Sequence, residues 1–466
     1  MSQNDAPIIV GLDIGTTKIA AIAGRKNEQG KLEILGFGRA NSCGVQHGQV
    51  LNIDQTIDSI RQALENCYKN NPDLEINEVY VGIAGHHIKS LQTRGDIVRQ
   101  NSDIEIQKSE VDQLVENQKK TFIPAGDQII EVIPQDFSVD NFQNIKYPVG
   151  YMGVRIGASF HIITGDKNAI RNINRAVERS HLKTKDLVLQ PLASASAVMS
   201  NMDMDSGVAV LDIGGGTSDL AIFHEGILKH TAVIPFGGEN ITDDIKKGLG
   251  VLKTQAEAMK IQFGSAIADQ TKANAYITIP GLRGMPSKEI SVKTLSLIIQ
   301  ARMSEIMDFV AYHLKQVGMD SRMLNGGIIL TGGGSQLKHL LQLTEFATGL
   351  NARIGYPNEY LASNHIDELK KPMYSTCIGL ILKGYNDYDN RYKEFETKFT
   401  KISVPNNLKQ VVSETENETT EETTETSVNV DERIDKLATP KGPGFWDKIK
   451  MSLVDIFKEE DDKHIG

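Results

Sequence analysis

Over roughly its first 400 residues the chain alternates short apolar runs with segments whose apolar positions recur at helical spacing, the pattern of layered α/β folds. One apolar run occurs twice. The segment Ile8-Ile9-Val10-Gly11-Leu12-Asp13-Ile14-Gly15-Thr16-Thr17-Lys18-Ile19-Ala20 is echoed by Val208-Ala209-Val210-Leu211-Asp212-Ile213-Gly214-Gly215-Gly216-Thr217-Ser218-Asp219-Leu220-Ala221, with the aspartates 199 positions apart. Each copy reads as an apolar strand, an Asp-Ile-Gly turn carrying Thr or Ser, and a second apolar strand, which predicts a β-hairpin with a glycine-rich turn. Two copies at domain-scale separation predict a duplicated two-lobed fold, since solenoids repeat at about 20–50 residues. A third glycine cluster, Gly326 to Ser335, is an apolar strand entering a glycine turn, followed by a helix pattern from Gln336 to Leu341.

The pattern then breaks. Ser413 to Val430 consists mainly of Thr, Glu and Ser, with no basic residue, no aromatic and no periodicity. Self-repelling charge with nothing to bury predicts a disordered acidic linker over 413–438. Helical spacing returns in 439–466, where Phe445, Trp446, Ile449, Leu453, Ile456 and Phe457 fall within an arc of about 120° at 100° per residue. Asp447, Lys448, Asp455 and Lys458 lie opposite, and Lys441–Lys458 carries four basic and two acidic residues. A detached amphipathic helix has no core of its own in which to bury its stripe. The aromatic face suits an anionic lipid surface, and docking on the body or on a partner groove is the alternative. One copy of so short a helix binds membrane marginally, so stable attachment requires several copies, as in a polymer.

Charge and cysteine usage narrow the classes. The 466 residues carry 50 basic and 60 acidic side chains, a net of −10; the segment from Ser413 onward holds −8 of it, which leaves −2 for the body. A near-neutral body argues against a nucleic-acid binder working by phosphate neutralisation. Cys43, Cys67 and Cys377 are odd in number and widely spaced, neither a disulfide framework nor a CxxC pair, so a reducing cytosol is expected. No run approaches ~18 uninterrupted apolar residues, and the N-terminus lacks the basic region of a secretory signal. The His86-His87 pair has no matched ligand spacing and reads as loop or surface.

The twin hairpins suit phosphate. Glycine turns can aim several backbone N–H groups into one concavity. Gly15, Thr16, Thr17 and Lys18 in the first turn, with Gly214, Gly215, Gly216, Thr217 and Ser218 in the second, add hydroxyls and one compact cation. Asp13 and Asp212, at the strand ends, are placed to hold Mg²⁺ through its waters. Neither GxGxxG nor GxxxxGK[ST] is present, so Rossmann and P-loop readings fail.

Asp13–Lys18, Asp212–Asp219 and Thr331-Gly332-Gly333-Gly334, in that order, resemble the two phosphate loops and the adenosine loop of the ATPase core shared by actin, the large heat-shock chaperones and sugar kinases. Within that superfamily the chain is similar to the FtsA family of bacterial division proteins. The likeness runs through Ile133-Pro134-Gln135-Asp136-Phe137, Pro148-Val149-Gly150-Tyr151, Ala193 to Val198, Val233 to Gly238 and Ala256 to Lys260. The resemblance implies an actin-like (ribonuclease H-like) two-lobed α/β fold. Residues 1–85, 165–205 and 375–412 form the first base, with 86–164 an inserted subdomain. Residues 206–238 and 306–374 form the second base, and 239–305 its cap. It implies ATP and Mg²⁺ as ligands, Gly237 and Gly238 near the nucleotide, Glu257 and Lys260 flanking the adenosine, and Gln190 orienting water. With no second strong catalytic candidate, at most slow hydrolysis is expected.

The implied partners are the C-terminal peptide of FtsZ, with Arg302 and Lys293 as its docking cations, further copies of the chain in a filament, and later division proteins through the inserted subdomain. The implied location is peripheral, on the cytoplasmic face of the inner membrane at the division site. Ala301-Arg302-Met303 departs from the family's usual Pro-Arg-Tyr. A pilus-assembly adaptor of similar fold and a small-metabolite kinase are the competing readings.

Overall fold

The computed structural model describes residues 6–400 except 70, 273, 281–285 and 363–366, with side chains described as far as 390. The linker and the six apolar tail residues from Phe445 to Phe457 lie outside the described residues. The fold belongs to the first of two units, Met1–Glu394, the second being Phe395–Gly466.

Strands β1 (Ile9–Ile14), β2 (Lys18–Lys26) and β3 (Leu32–Asn41) form an antiparallel meander. A two-strand ribbon, β4 (Val45–Gln46) and β5 (Gln49–Val50), leads to α1 (Ile53–Tyr68), whose first turn is capped by the Asn52 side chain accepting from the Gln55 N–H at 3.1 Å. Strand β6 (Glu78–Ile83) then pairs parallel with β1. The chain next leaves for a four-stranded sheet: β7 (Ile88–Val98), helix α2 (Lys108–Gln118), β8 (Asp127–Val139), β9 (Phe142–Ile145) and β10 (Arg155–Asp166), ordered β7-β10-β8-β9. It returns through α3 (Lys167–Arg179), capped by Asp166, and β11 (Lys183–Leu189), which extends the first sheet parallel to β6. Helices α4 (Gln190–Val198) and α5 (Asn201–Ser206) lead into the second half.

There the scheme repeats. Strands β12 (Val208–Ile213), β13 (Ser218–His224) and β14 (Ile227–Ile234) form the second meander. Helices α6 (Gly238–Leu249) and α7 (Lys253–Phe263), the ribbon β15 (Tyr276–Ile279) and β16 (Lys288–Ser291), and α8 (Val292–Gln316) follow. Strand β17 (Ile328–Thr331), α9 (Leu340–Thr348), β18 (Ala352–Ile354) and α10 (Ser375–Thr400) complete the described chain. The two large sheets, β3-β2-β1-β6-β11 and β14-β13-β12-β17-β18, share one topology: a meander whose first strand pairs parallel with the fourth, and the fourth with the fifth. Helices cover both faces, so β1, β2, β12 and β13 are buried almost throughout and read as continuous apolar runs.

Each half has its own core. A third apolar cluster, including Ala20, Ile22, Ala195, Val208, Val210, Ile329, Tyr374 and Ile381, joins them and sets how the sheets face each other. The helix expected from Gln336 begins at Leu340 instead. Ser335 turns its hydroxyl back to the Gly332 carbonyl at 2.8 Å, so Gly333–Gln336 closes as a 3₁₀ turn.

In α10, a Cβ at Gly379 would stand 1.8 Å from the Ala193 carbonyl oxygen of α4, backbone that cannot step aside. Gly379→Ala is expected to lower unfolding stability by about 1–3 kcal/mol, as overpacked cores do; an unchanged denaturation midpoint would show that the two helices can separate freely.

Candidate functional site

The two equivalent hairpins bring their turns face to face. Each closes the same way: the Gly15 N–H donates to the Lys18 carbonyl at 3.0 Å, and the Gly214 N–H to the Thr217 carbonyl at 2.9 Å. Their tips approach so closely that a Cβ on Gly215 would lie 1.9 Å from the Thr17 hydroxyl, and one on Gly216 2.5 Å from the Thr16 hydroxyl. A side chain at either glycine would push the opposing threonine hydroxyl aside, so glycine lets the two turns approach. Helix α6 starts on the second turn, its Gly238 and Glu239 N–H groups donating to the Gly214 and Gly215 carbonyls at 2.9 and 2.7 Å. Gly237 lies against the same turn. The Lys260 ammonium donates to the Gly238 carbonyl and the Thr242 hydroxyl, both at 2.8 Å, and pairs with Glu257 at 2.8 Å. The Thr242 hydroxyl donates to Glu257 in turn.

The third loop joins because β17 runs parallel to β12, setting Thr331 opposite Asp212. Gly332 has φ 82°, and a Cβ there would lie 2.2 Å from Asp212 Oδ1. Gly334 packs on Ile213, and Gly333 is near Met373. The structure therefore gathers Asp13, Gly15–Lys18, Asp212, Gly214–Ser218, Gly237, Gly238, Glu257, Lys260 and Gly332–Gly334 around one cleft. Gln190 joins them as the first residue of α4, donating from Nε2 to Asp13 at 3.1 Å.

Charge is crowded into this cleft. Asp13 accepts from the Lys18 ammonium at 2.9 Å. Burial alone would depress that ammonium's pKa, but the charge of Asp13 and its hydrogen bond outweigh it and raise it. Asp212 accepts from the Ser194 hydroxyl at 2.5 Å and the Thr376 hydroxyl at 3.2 Å, yet burial still pushes its carboxyl up. Asp219 is 3% exposed; Oδ2 accepts from Thr217 at 3.2 Å and Oδ1 has no partner. Burial, then the neighbouring Asp212, hold it well above the usual carboxylate range. Lys18 is paired with Asp13, while Asp212 and Asp219 are buried carboxyls with no ammonium bonded to them among the described residues. Among the described residues no cluster of three or more His, Cys, Asp or Glu can hold a metal ion by itself. Water and ligand oxygens would supply the remaining coordination, which is the habit of Mg²⁺. The orphaned Asp219 oxygen and the neighbouring Asp212 carboxyl fit such an ion.

Asp219, Ser194, Thr376 and His47 were not foreseen as site residues. Asp219 lies just past the turn in β13, and burial gives it significance. His47 and Gly48, both at positive φ (46° and 75°), form the tip of the β4–β5 ribbon, a place that favours Asn-Gly. The imidazole Nδ1 meets the Gly216 carbonyl at 3.1 Å and the Gly48 N–H donates to the Thr16 hydroxyl at 3.2 Å, tying this tip to both turns.

Arg302 and Lys293 lie apart from the cleft on α8, and both cations are already engaged. Arg302 holds Asp244 with two hydrogen bonds, 2.6 and 3.2 Å, also pairs with Glu305, and sits 5.0 Å over the Phe236 ring. Lys293 pairs with Asp269 at 3.1 Å. Of the histidine pair, His86 is exposed in a turn, whereas His87 is buried with neither ring nitrogen bonded, and burial lowers its pKa to about 4.

A carboxyl whose pKa is raised by folding costs stability once pH exceeds its ordinary range. Below that range both states are protonated and the cost vanishes. Without added divalent cation, Asp219→Asn is therefore expected to raise the thermal midpoint at pH 7, the gain shrinking as pH falls toward 4. A gain independent of pH would show that Asp219 does not carry the strain.

The chain matches the family model described as "Cell division protein FtsA" over residues 209–379, and that of the "SHS2 domain inserted in FTSA" over 85–164. It is 39% identical to the cell division protein FtsA of Neisseria meningitidis over 381 residues, covering 82% of this chain and 91% of the relative. Identity to the FtsA of Pseudomonas aeruginosa is 35%, with 82% and 90% covered, and to that of Escherichia coli K12 it is 32%, with 86% and 96% covered. Among solved structures, a PilM–PilN type IV pilus biogenesis complex aligns with TM-score 0.60 at 15% identity, covering 81% of this chain and 98% of that one. MreB5 of Spiroplasma citri bound to ADP aligns with TM-score 0.50 at 14% identity, covering 83% and 98%. At those identities the structural likeness speaks for an actin-like fold alone, shared by the pilus adaptor too. Identity of 32–39% over most of both chains decides the narrower question: this chain belongs to the FtsA family of cell division proteins.

Proposed function

We propose that this division protein clasps Mg²⁺-ATP between its two hairpin turns, hydrolyses it slowly if at all, and uses its tail to hold FtsZ filaments against the cytoplasmic face of the membrane. The observation that carries the clasp is the apposition of Thr16 and Thr17 with Gly215 and Gly216, one turn from each half. Thr16, Thr17 and Thr217 supply hydroxyls around the phosphates, whereas the buried Ser218 hydroxyl donates to the Phe236 carbonyl at 2.7 Å; Lys18, held on Asp13, supplies the compact cation. Asp13, Asp212 and Asp219 hold the magnesium ion through its waters, and the ion neutralises phosphate charge when bound. Gly332–Gly334, with Gly237, Gly238, Glu257 and Lys260, border the adenosine. Gln190 directs an amide toward the same carboxylate as Lys18, a place from which it can orient water. Among the described residues no second group is placed beside Gln190 as a base, which favours retention of the nucleotide over turnover.

The acidic C-terminal peptide of FtsZ takes the α8 surface. Its carboxylates compete with Asp244 for Arg302 and with Asp269 for Lys293. Self-association and later division proteins use the inserted sheet, whose rim exposes Tyr151, Met152 and Val154. No helix among the described residues is long and apolar enough to cross a membrane, and attachment falls to the amphipathic segment 439–466.

Asp212→Ala is expected to weaken Mg²⁺-ATP binding by about 10- to 100-fold, as loss of a metal's supporting carboxylate does; unchanged affinity by calorimetry would remove Asp212 from the metal site. Deleting residues 440–466 is expected to release the protein from anionic liposomes in flotation. Equal flotation of the shortened chain would place membrane attachment elsewhere.

A further inference from the structure

The inserted sheet is covalently part of the first half, since the chain enters it from β6 and leaves it into α3. Its contacts do not stop there. Strand β14, at the edge of the second sheet, carries a bulge: Ile222 pairs with His230 and Phe223 with Leu228, which leaves Lys229 as the extra residue. The bulge presents the Leu228 and Lys229 carbonyls to the insert, where Gln135 of β8 donates to them from Nε2 at 2.7 and 3.4 Å. Beside it the Lys229 ammonium pairs with Asp136 at 3.3 Å. One strand over, His161 of β10, 1% exposed, places Nε2 3.0 Å from the Thr231 hydroxyl. Ile133 packs into the apolar cluster that contains Leu228 and Phe223. Burial raises the carboxyl pKa of Glu131 on β8, with Lys383, Asp186 and Asp387 of the first half as its charged neighbours. Strand β8 thus touches both halves, Gln135 and Asp136 making specific polar contacts with the far one.

We propose that Gln135, Asp136 and His161 are positioning residues that brace the second half against the first, so that the inserted sheet sets how readily the nucleotide cleft opens. The inference rests on the clasp reading of the paired turns. A triphosphate held between Thr16–Thr17 and Gly215–Gly216 leaves only if the two halves part. Strand β14 runs from the brace at Leu228–Thr231 toward Gly237 and Gly238 at the cleft. From Leu228 to Ile234 that is about 20 Å of one continuous strand. Hinge motions turn packed units as rigid bodies, so opening the cleft must carry this end of β14 away from the insert. The brace resists that separation without touching the nucleotide.

The test measures release of a fluorescent ATP analogue, chased with excess ATP and Mg²⁺, from the full-length chain. Asp136 and Lys229 are partly exposed, so charge changes there leave the core alone. Asp136→Lys opposes two ammonium groups across the joint and is expected to speed release about three- to tenfold, in the range of measured pairwise couplings. Asp136→Lys combined with Lys229→Asp restores an ion pair and is expected to return release toward the wild-type rate. Gln135→Leu, with its thermal midpoint checked alongside, is expected to behave like Asp136→Lys. Failure of the wild-type chain to bind the analogue would overturn the clasp reading. Wild-type binding with equal release from all variants, or faster release that the swapped pair does not correct, would overturn the brace.

Discussion

Three buried carboxyl groups, Asp13, Asp212 and Asp219, crowd beside the two glycine turns with the Lys18 ammonium, and much of the molecule is arranged around them. Each sheet delivers a carboxylate at the end of its first strand, Asp13 from β1 and Asp212 from β12, because the same hairpin is built twice. Asp219 enters from the second strand of the second hairpin, directly across from Asp212. Buried charge of one sign is costly, and the neighbouring hydroxyls of Ser194, Thr376 and Thr217 relieve part of it. The rest is the burden that the proposed magnesium ion would offset.

The duplication explains why the site lies where it does. A meander followed by parallel strands puts a tight turn at the end of the first hairpin in each half. The shared apolar seam through Ile22, Val210 and Tyr374 then turns the two ends toward each other. Helix α10 begins at this seam. Its Thr376 bonds to Asp212, and its Cys377 thiol lies 3.2 Å from the Gly11 carbonyl, so one helix start contacts the first strand of both sheets. The inserted sheet adds a further connection that the repeat alone would not provide.

Much of this was legible in the chain. The spaced Asp-Ile-Gly turns predicted the hairpins and the two-lobed plan because strand burial on both faces leaves long apolar runs that end in glycine. The cleft's glycines and both strand-end aspartates were readable for the same reason. What escaped was set by tertiary contact. Ser194 and Thr376 look like ordinary helix residues until folding places them on Asp212. His47 occupies a turn tip that favours asparagine, and its contact is with a residue 169 positions away. Likewise, Arg302 reads as a free cation in one dimension and is held by Asp244 in three. The acidic linker and the amphipathic stripe remain statements about sequence, since they lie outside the described residues.

The position of a bound nucleotide decides whether the two turns form a clasp. The most direct measurement is an experimental structure of the chain with Mg²⁺ and a non-hydrolysable ATP analogue. It should place the β- and γ-phosphates between Thr16–Thr17 and Gly215–Gly216, with the metal ion within water-mediated reach of Asp13 and Asp212. Nucleotide bound anywhere else, or turns that stay in contact with the phosphates outside them, would contradict it.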